Sequence, residues 1–541
     1  MPRPVQAIPQ GPSGVEKTVD PAAKRCPIGF PLIFELRPRF RKPTMNVDVR
    51  KRPDVRIGRV QSHLMELDPH ICYRAVVSRD ARFDGRFFTG VTSTGIYCRP
   101  TCPAPTPRMR NCRFYRCAAA AAADGLRPCR RCRPESAPGT PAWQGTAATV
   151  SRALRLIGSG VLDEGSVDDL AVRLGVGGRH LRRLFQQHLG ATPVAVAQTR
   201  RLHFAKRLIE ETPLPMAQVA MTAGYQSIRR FNAAIRRAYG GPPSVLRDRL
   251  RLSVVADAAL TVRLPFRAPY DWERMARFLA RRAIPGVEAV RPDAYRRTVQ
   301  VADAHAVIEV RPRLDEHHFQ LRIPVSLSSH LGWISERIRA LFDLDADPME
   351  ISKQLAGDPF LRKRVRAHPG LRVPGAWDGF ELGVRAILGQ QVSVKGASTL
   401  AGRMVSTYGR VRDPAADADL RHLFPEPKRI ARARLARIGL TSGRARAVRA
   451  LARAVEREEL QLDGAADPEV MKTRLLRLPG VGEWTAGYVA MRALRDPDAL
   501  PAGDLGLRRA LEVPARHLEG RCEGWRPWRA YGAMHVWTSE E

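Results

Sequence analysis

The chain has 541 residues, with 90 Lys or Arg against 54 Asp or Glu, a formal charge of +36. No apolar run of about 18 residues is present, no apolar core follows the first Met, and the 9 Cys are an odd number. A membrane-spanning helix, a secretory signal and a disulfide framework are therefore not expected, and the charge points to a polyanionic partner, DNA or RNA before an anionic membrane. A coding bias toward Arg is the competing explanation for that charge.

The length predicts about three to five domains. Residues 1–66 are rich in Pro and Arg and are read as a disordered or untranslated extension, with Met45 and Met65 as alternative starts. Residues 67–140 carry seven of the nine Cys, and 134–145 reads as a linker. Residues 146–250 read as helices. Between 251 and 325, alternation at Thr261–Leu264 and Ala306–Val310 predicts strands flanking a helix near 271–283. The pattern from 326 to 541 is helical again. The Ala118–Ala123 run reads as one or two helical turns.

Cys98-Arg-Pro-Thr-Cys102 and Cys129-Arg-Arg-Cys132 supply two close thiol pairs. Zn²⁺ takes four soft ligands in a tetrahedron, and each pair can fill two corners. Cys112 and Cys117 form a further pair that competes as ligands, whereas Cys26, Cys72 and Cys522 show no pattern. Arg99, Arg110, Arg113, Arg116, Arg127, Arg130, Arg131 and Arg133 surround the set, to offset a tetrathiolate charge, to bind phosphates, or both. Phe83–Phe88, Thr94–Cys102 and Arg127–Cys132 resemble the N-terminal domain of the Ada repair regulators. The resemblance implies that Cys98 accepts a methyl group from a DNA methylphosphotriester, with Cys102, Cys129 and Cys132 as the other zinc ligands. Lower repulsion from DNA then switches on specific binding. The transfer is stoichiometric. No Pro-Cys-His-Arg string is present, so repair of O6-alkylguanine is not expected.

Ser166–Phe185 and Met216–Tyr239 each read as a helix–turn–helix, with Gly175 at a tight turn. An ordinary bundle with Arg on its wet face is the alternative. The doubled unit and the Gly-Tyr-Gln-Ser string before Phe231 resemble the AraC-type DNA-binding domain. That likeness places Arg182, Arg183, Arg229 and Arg230 at DNA, without separating phosphate from base contacts.

Leu478-Pro-Gly-Val-Gly482 leads into a helical pattern, so that backbone N–H groups near Gly480 and Gly482 face outward and can hold one phosphate. With Asp504 about twenty residues on, the pattern resembles the helix-hairpin-helix DNA glycosylases. Leu264–Trp272, Arg385–Val394, Trp525–Trp528 and His535–Trp537 extend the likeness to the AlkA type. The resemblance implies hydrolytic excision of alkylated purines of the 3-methyladenine kind. Asp504 then stabilises the sugar cation, and Trp484, Tyr488 and Trp537 line the base pocket. For the rings the alternative is core packing; for Asp504 it is a helix N-cap. Trp484 stands where strand-cleaving relatives carry Lys, so a monofunctional enzyme is expected. Only Cys522 is available toward the C-terminus, so no iron–sulfur cluster is expected. Gln391 occupies the position of the family's Leu wedge, which leaves open a DNA-binding regulator with a weak or inactive glycosylase half.

The expected fold class is a multidomain, mainly α chain. It comprises a small zinc-bound α/β domain (67–140), an all-α AraC-type domain (146–250), a small α+β domain (251–325) and an all-α helix-hairpin-helix glycosylase domain (326–541). Expected partners are double-stranded DNA with alkylated bases or methylphosphotriesters, promoter DNA and RNA polymerase, with no membrane. The expected location is the cytoplasm, at the nucleoid.

Overall fold

The computed structural model describes residues 67–138, 148–248, 259–412 and 419–538. The expected N-terminal extension and most of the 134–145 linker lie outside them. No helix among the described residues is long and apolar enough to cross a membrane.

The first unit is a small α/β layer. Helix α1 (Pro69–Val77) is followed by β1 (Phe88–Val91), β2 (Ile96–Cys98), β3 (Cys112–Tyr115), α2 (Ala118–Ala123) and β4 (Arg127–Pro128). The sheet order is β3-β1-β2-β4, antiparallel except for the parallel β2–β4 pair. That parallel pair brings the two Cys motifs side by side. Ala118–Ala121 are buried. The absence of large side chains lets α2 sit tight between this sheet and the helical unit that follows, with Ala119 and Ala120 in the helical core.

That unit runs α3 (Ala148–Gly158), α4 (Val161–Glu164), α5 (Val167–Leu174), α6 (Gly178–Leu189), α7 (Pro193–Glu211), α8 (Met216–Thr222), α9 (Ile228–Tyr239) and α10 (Pro243–Asp248). Ser166 opens α5 with a reciprocal cap to Asp169, which satisfies two orphan donors. Gly175 then turns the chain at φ 73°, where a side chain is strained. In α9, Phe231, Ile235 and Tyr239 recur at helical spacing and are all buried.

The third unit is a five-stranded antiparallel sheet of order β5-β9-β8-β7-β6. It is built from β5 (Ala259–Pro265), β6 (Glu288–Arg291), β7 (Ala294–Val301), β8 (Ala304–Arg313) and β9 (His318–Pro324), with α11 (Trp272–Arg282) after β5. Leu260, Val262 and Leu264 point inward while Thr261 and Arg263 are exposed, the alternation of a half-buried strand. Asp271 caps α11 through the Arg274 N–H at 3.1 Å.

The remainder is helical: α12 (Leu331–Leu341), α13 (Pro348–Leu355), α14 (Pro359–Ala367), α15 (Gly379–Leu388) and α16 (Val394–Tyr408), then the short strands β10 (Arg410–Val411) and β11 (His422–Leu423). It continues through α17 (Pro427–Ala431), α18 (Ser442–Glu456), α19 (Pro468–Leu476), α20 (Glu483–Arg492), α21 (Leu505–Leu511), α22 (Leu518–Arg521) and α23 (Arg529–Trp537). Helix α15 is apolar almost all round and buried, as the centre of this bundle requires.

Polar contacts tie the units together. Arg86 pairs with Asp347 at 2.7 Å and Glu350 at 3.0 Å, joining the first sheet to the start of α13. The Lys206 ammonium, 2% exposed, pairs with Glu135 and, at 3.0 Å, with Glu210. Arg155 donates to the Gly464 carbonyl at 3.0 Å.

Candidate functional site

The first candidate site is the cysteine cluster. Strand β2 ends on Cys98, and the turn after it is closed by the Cys102 N–H donating to the Arg99 carbonyl at 3.2 Å. Cys129 N–H donates to the Tyr97 carbonyl at 3.0 Å, which sets the second motif against the first. The Sγ atoms of Cys98, Cys102, Cys129 and Cys132 all lie within 4.8 Å of one another. Cys102 and Cys129 sulfurs are 3.9 Å apart. A tetrahedron of Zn–S bonds has edges of about 3.8 Å, so the four sulfurs fit that ion. Hydrogen bonding within the cluster pushes the Cys98 and Cys132 thiols up and the Cys102 and Cys129 thiols down, so the four share their protons as a set.

The backbone N–H of Arg99 donates to Cys132 Sγ at 3.3 Å, and its guanidinium is clamped by Asp84, with Nε to Oδ1 at 2.9 Å. Arg110, Arg113, Arg127, Arg130 and Arg131 are exposed around the cluster. Cys112 and Cys117 stand apart: their thiols donate to the Arg108 carbonyl at 3.5 Å and the Leu189 carbonyl at 3.3 Å. Burial pushes the Cys72 thiol up to about 11 and the Cys522 thiol up to about 12, as expected of core groups. Cys26 lies outside the described residues.

The second candidate surface is on α6 and α9. Arg182, Arg183, Arg229 and Arg230 are exposed. Arg182 reaches Asp168 at 3.5 Å, and Arg183 donates to His180 Nδ1 at 3.0 Å. Ser227 caps α9 through the Arg230 N–H at 3.3 Å, so Arg229 and Arg230 stand in its first turn.

The third candidate site is built on α20, α21 and α23. Trp484, Tyr488 and Arg492 recur every four residues and share one face of α20. Trp484 and Tyr488 stack with centroids 5.4 Å apart and planes 16° apart, and Trp537 on α23 lies 6.2 Å from Tyr488. Asp504 accepts from Trp484 Nε1 at 2.7 Å, from Trp537 Nε1 at 3.0 Å and from the Leu507 N–H at 2.9 Å. It is thus the N-cap of α21 and also the carboxylate of the ring cluster; the two readings of Asp504 coincide. These groups line a cavity of 430 Å³ together with Arg282, Arg385 and Gly506.

Sequence reasoning missed the cavity's guanidiniums. Arg385 is offset by Glu288 at 2.9 Å and Glu381 at 3.1 Å. Arg492 donates to the carbonyls of Pro374 and Gly375 and to the Tyr488 hydroxyl at 2.6 Å. Burial pushes the Tyr488 phenol up, but Arg492, Arg282 and Arg385 more than offset this and leave it below its ordinary value. Arg492 could have been found, since it follows Trp484 and Tyr488 at four-residue spacing, but Arg282 and Arg385 come from other helices and nothing local brings them to it.

The hairpin lies beside the cavity. Gly480 adopts φ 77°, and Gly482 is exposed at the start of α20. Gln391, at φ 53°, is exposed in the turn between α15 and α16, beside the half-exposed Val392 and Val394. Gln390 was not singled out in the sequence, yet its amide donates to the Gly480 carbonyl and the Thr485 hydroxyl, both at 2.9 Å, and so locks that turn to the hairpin.

Four family models match the chain. They are the metal-binding domain of Ada over residues 71–135, a helix-turn-helix domain over 170–249, the AlkA N-terminal domain over 261–378, and the HhH-GPD superfamily of base excision DNA repair proteins over 384–515. A probable bifunctional transcriptional activator/DNA repair enzyme AlkA of Mycobacterium tuberculosis (strain CDC 1551 / Oshkosh) is 44% identical over 481 residues, 87% of this chain and 96% of that protein. The DNA-3-methyladenine glycosylase 2 of Escherichia coli (strain K12) is 34% identical over 281 residues, 51% of this chain and 96% of its own. The bifunctional transcriptional activator/DNA repair enzyme Ada of the same organism is 38% identical over 138 residues, 26% of this chain and 37% of its own. With an Ada-type metal-binding domain and an AraC-type helix-turn-helix ahead of an AlkA-type glycosylase, the chain belongs to the family of bifunctional transcriptional activator/DNA repair enzymes.

Proposed function

We propose that the chain carries out two chemistries on alkylated DNA: excision of alkylated purines such as 3-methyladenine at Asp504, and uptake of methyl groups from methylphosphotriesters at Cys98. The observation that carries the first is the Asp504 carboxylate, held by two indole N–H groups and a helix N-terminus on the wall of an aromatic cavity. An alkylated purine carries positive charge, and a ring face attracts such a cation by about 0.5–2 kcal/mol. Trp484, Tyr488 and Trp537 supply those faces. The N-glycosidic bond breaks with its electron pair going to the purine. Asp504 stabilises the positive sugar left behind and orients the water that adds to it. Gly480 and Gly482 hold a backbone phosphate, and Gln391 fills the stack that the base vacates.

Cys98, Cys102, Cys129 and Cys132 hold the zinc ion, which when bound keeps the thiols deprotonated. The Cys98 sulfur attacks the methyl carbon of the triester. A carbon–sulfur bond forms as the carbon–oxygen bond breaks, and the diester oxygen leaves with the electron pair. The acceptor becomes a neutral thioether, repulsion from DNA falls, and Arg182, Arg183, Arg229 and Arg230 engage promoter DNA, where RNA polymerase is the partner to be recruited. The location that fits this role is the cytoplasm, at the nucleoid.

The test is base release from methylated duplex DNA by the wild type and by Asp504→Asn. Release by the wild type and a loss of orders of magnitude in the folded variant support the reading. No release by folded wild-type protein would leave a DNA-binding regulator and overturn the enzymatic half.

A further inference from the structure

Residues 427–455 carry nine basic side chains and no acid. They are Lys428, Arg429, Arg432, Arg434, Arg437, Arg444, Arg446, Arg449 and Arg453. They lie on α17, α18 and the turn between them. Two have partners: Arg432 pairs with Glu456 at 3.3 Å, and Arg444 donates to the Gln390 carbonyl at 2.6 Å. Among the described residues the other seven make no side-chain hydrogen bond or ion pair. Some Arg of this domain are neutralised, Arg526 and Arg529 by Asp498 and Arg521 by Asp358, and others such as Arg366, Arg403 and Arg509 are not; what sets the segment apart is its nine cations without one acid. A general bias toward Arg does not explain the absence of acids from this segment.

The geometry has a direction. Ala445, Val448, Leu451 and Ala452 bury one face of α18, and Arg446, Arg449 and Arg453 recur at helical spacing on the other. Arg446 and Arg453 are about 10 Å apart along the helix, or about three base-pair steps of duplex. The N-terminal end of α18 abuts the hairpin: a side chain at Gly480 would meet Ala447 Cβ at 3.1 Å, and Arg444 and Gly480 hold the two ends of Gln390. The row of cations therefore begins where the hairpin meets DNA and runs away from the base cavity.

The composition also selects the ligand. The segment has no Phe, Trp, Tyr or His. It offers no platform on which unpaired bases stack, as single strands require. It has no Asn, Gln, Asp or Glu to read a base edge. Its guanidiniums fit phosphates and, among base edges, guanine only.

We propose that α17, the turn after it and the outer face of α18 form a second DNA-backbone track, continuous with the hairpin, which grips undamaged duplex beside the lesion and serves the search for damage rather than the excision step. The identity of the ligand rests on the base-excision reading; the track itself rests on the unpaired cations.

The test uses the full chain and an undamaged duplex, with affinity measured across salt concentrations. Each phosphate neutralised by the protein adds about 0.9 to the slope of log affinity against log salt. The triple variant Arg446→Gln/Arg449→Gln/Arg453→Gln should lower that slope by about 2 to 3, roughly one per side chain. A second variant, Lys428→Gln/Arg429→Gln/Arg437→Gln, probes the other half and should lower it similarly. Single-turnover base release at saturating DNA should stay within about twofold, because none of these groups lines the cavity. Unchanged slopes in both folded variants overturn the track, as does binding of an acidic protein or single strand in preference to duplex. A lowered slope in a protein that releases no base supports the track and removes the excision reading instead.

Discussion

The cysteine cluster and the aromatic cavity hold their reactive groups in opposite ways. Cys98 stands among three groups like itself, all within 4.8 Å. That crowd repels itself once deprotonated, so it needs a cation from outside the chain. Asp504 stands among unlike groups, two indoles and a backbone N–H. Its surroundings are complementary without any added ion. On the proposed reading the first centre is therefore conditional on metal and consumed when it reacts, whereas the second is complete in the folded chain and turns over.

The sharpest way to break this comparison is Asp504→Asn. The variant keeps a side chain able to cap α21 but loses the charge, and base release should fall by about a thousandfold or more. Melting should change little. Next is the metal. A strong chelator should abolish methyl uptake by Cys98, read by mass spectrometry, while base release on methylated duplex persists. Loss of both activities together would show that the two centres are not independent. Trp537→Phe keeps the ring and removes one N–H donor to a charged carboxylate, a change of about 1.5–3 kcal/mol. Base release should slow by about tenfold to a hundredfold. The last effect is confined to acid pH and leaves activity near neutrality unchanged. Burial pushes the His535 imidazole down to about 3. The unfolded chain takes up that proton near pH 6.5. The stability from keeping His535 neutral is therefore present in full above about pH 6.5 and is lost as pH falls toward 3. In His535→Phe the stability-against-pH slope in that window should be shallower by about 1.4 kcal/mol per pH unit, read by denaturant melts.

How much of this was legible before the structure depends on distance along the chain. The Cys pairs sit at short fixed spacings, and the strand alternation at Leu260, Val262 and Leu264 is local, so both are visible in the sequence. Asp504 and Trp484 are visible because a hairpin pattern marks the stretch that carries them. The guanidiniums of Arg282 and Arg385 were not, since each belongs to a different helix and nothing local requires them to meet Arg492, which shares the face of Trp484 and Tyr488. Gln390 was hidden for another reason. Its neighbour Gln391 departs from the family pattern and draws the eye, while the residue that bonds the hairpin is the unremarked one. The Arg86–Asp347 pair, 261 positions apart, has no sequence signal at all.

The buried Lys206 has a consequence for how the chain comes apart. Its ammonium is shared between Glu135, just after the last zinc ligand, and Glu210, on the long helix α7. One residue before Cys98, the Tyr97 hydroxyl lies 2.8 Å from His203 Nε2 on that same helix. Removing Glu135 in place, as in Glu135→Ala, would leave the buried ammonium with Glu210 alone and is expected to destabilise the fold by about 3–5 kcal/mol. These contacts predict that the cysteine unit and the helix–turn–helix pair melt in a single calorimetric transition. Removal of the metal is then expected to lower the melting of the helix–turn–helix pair as well, although those helices carry no ligand to it.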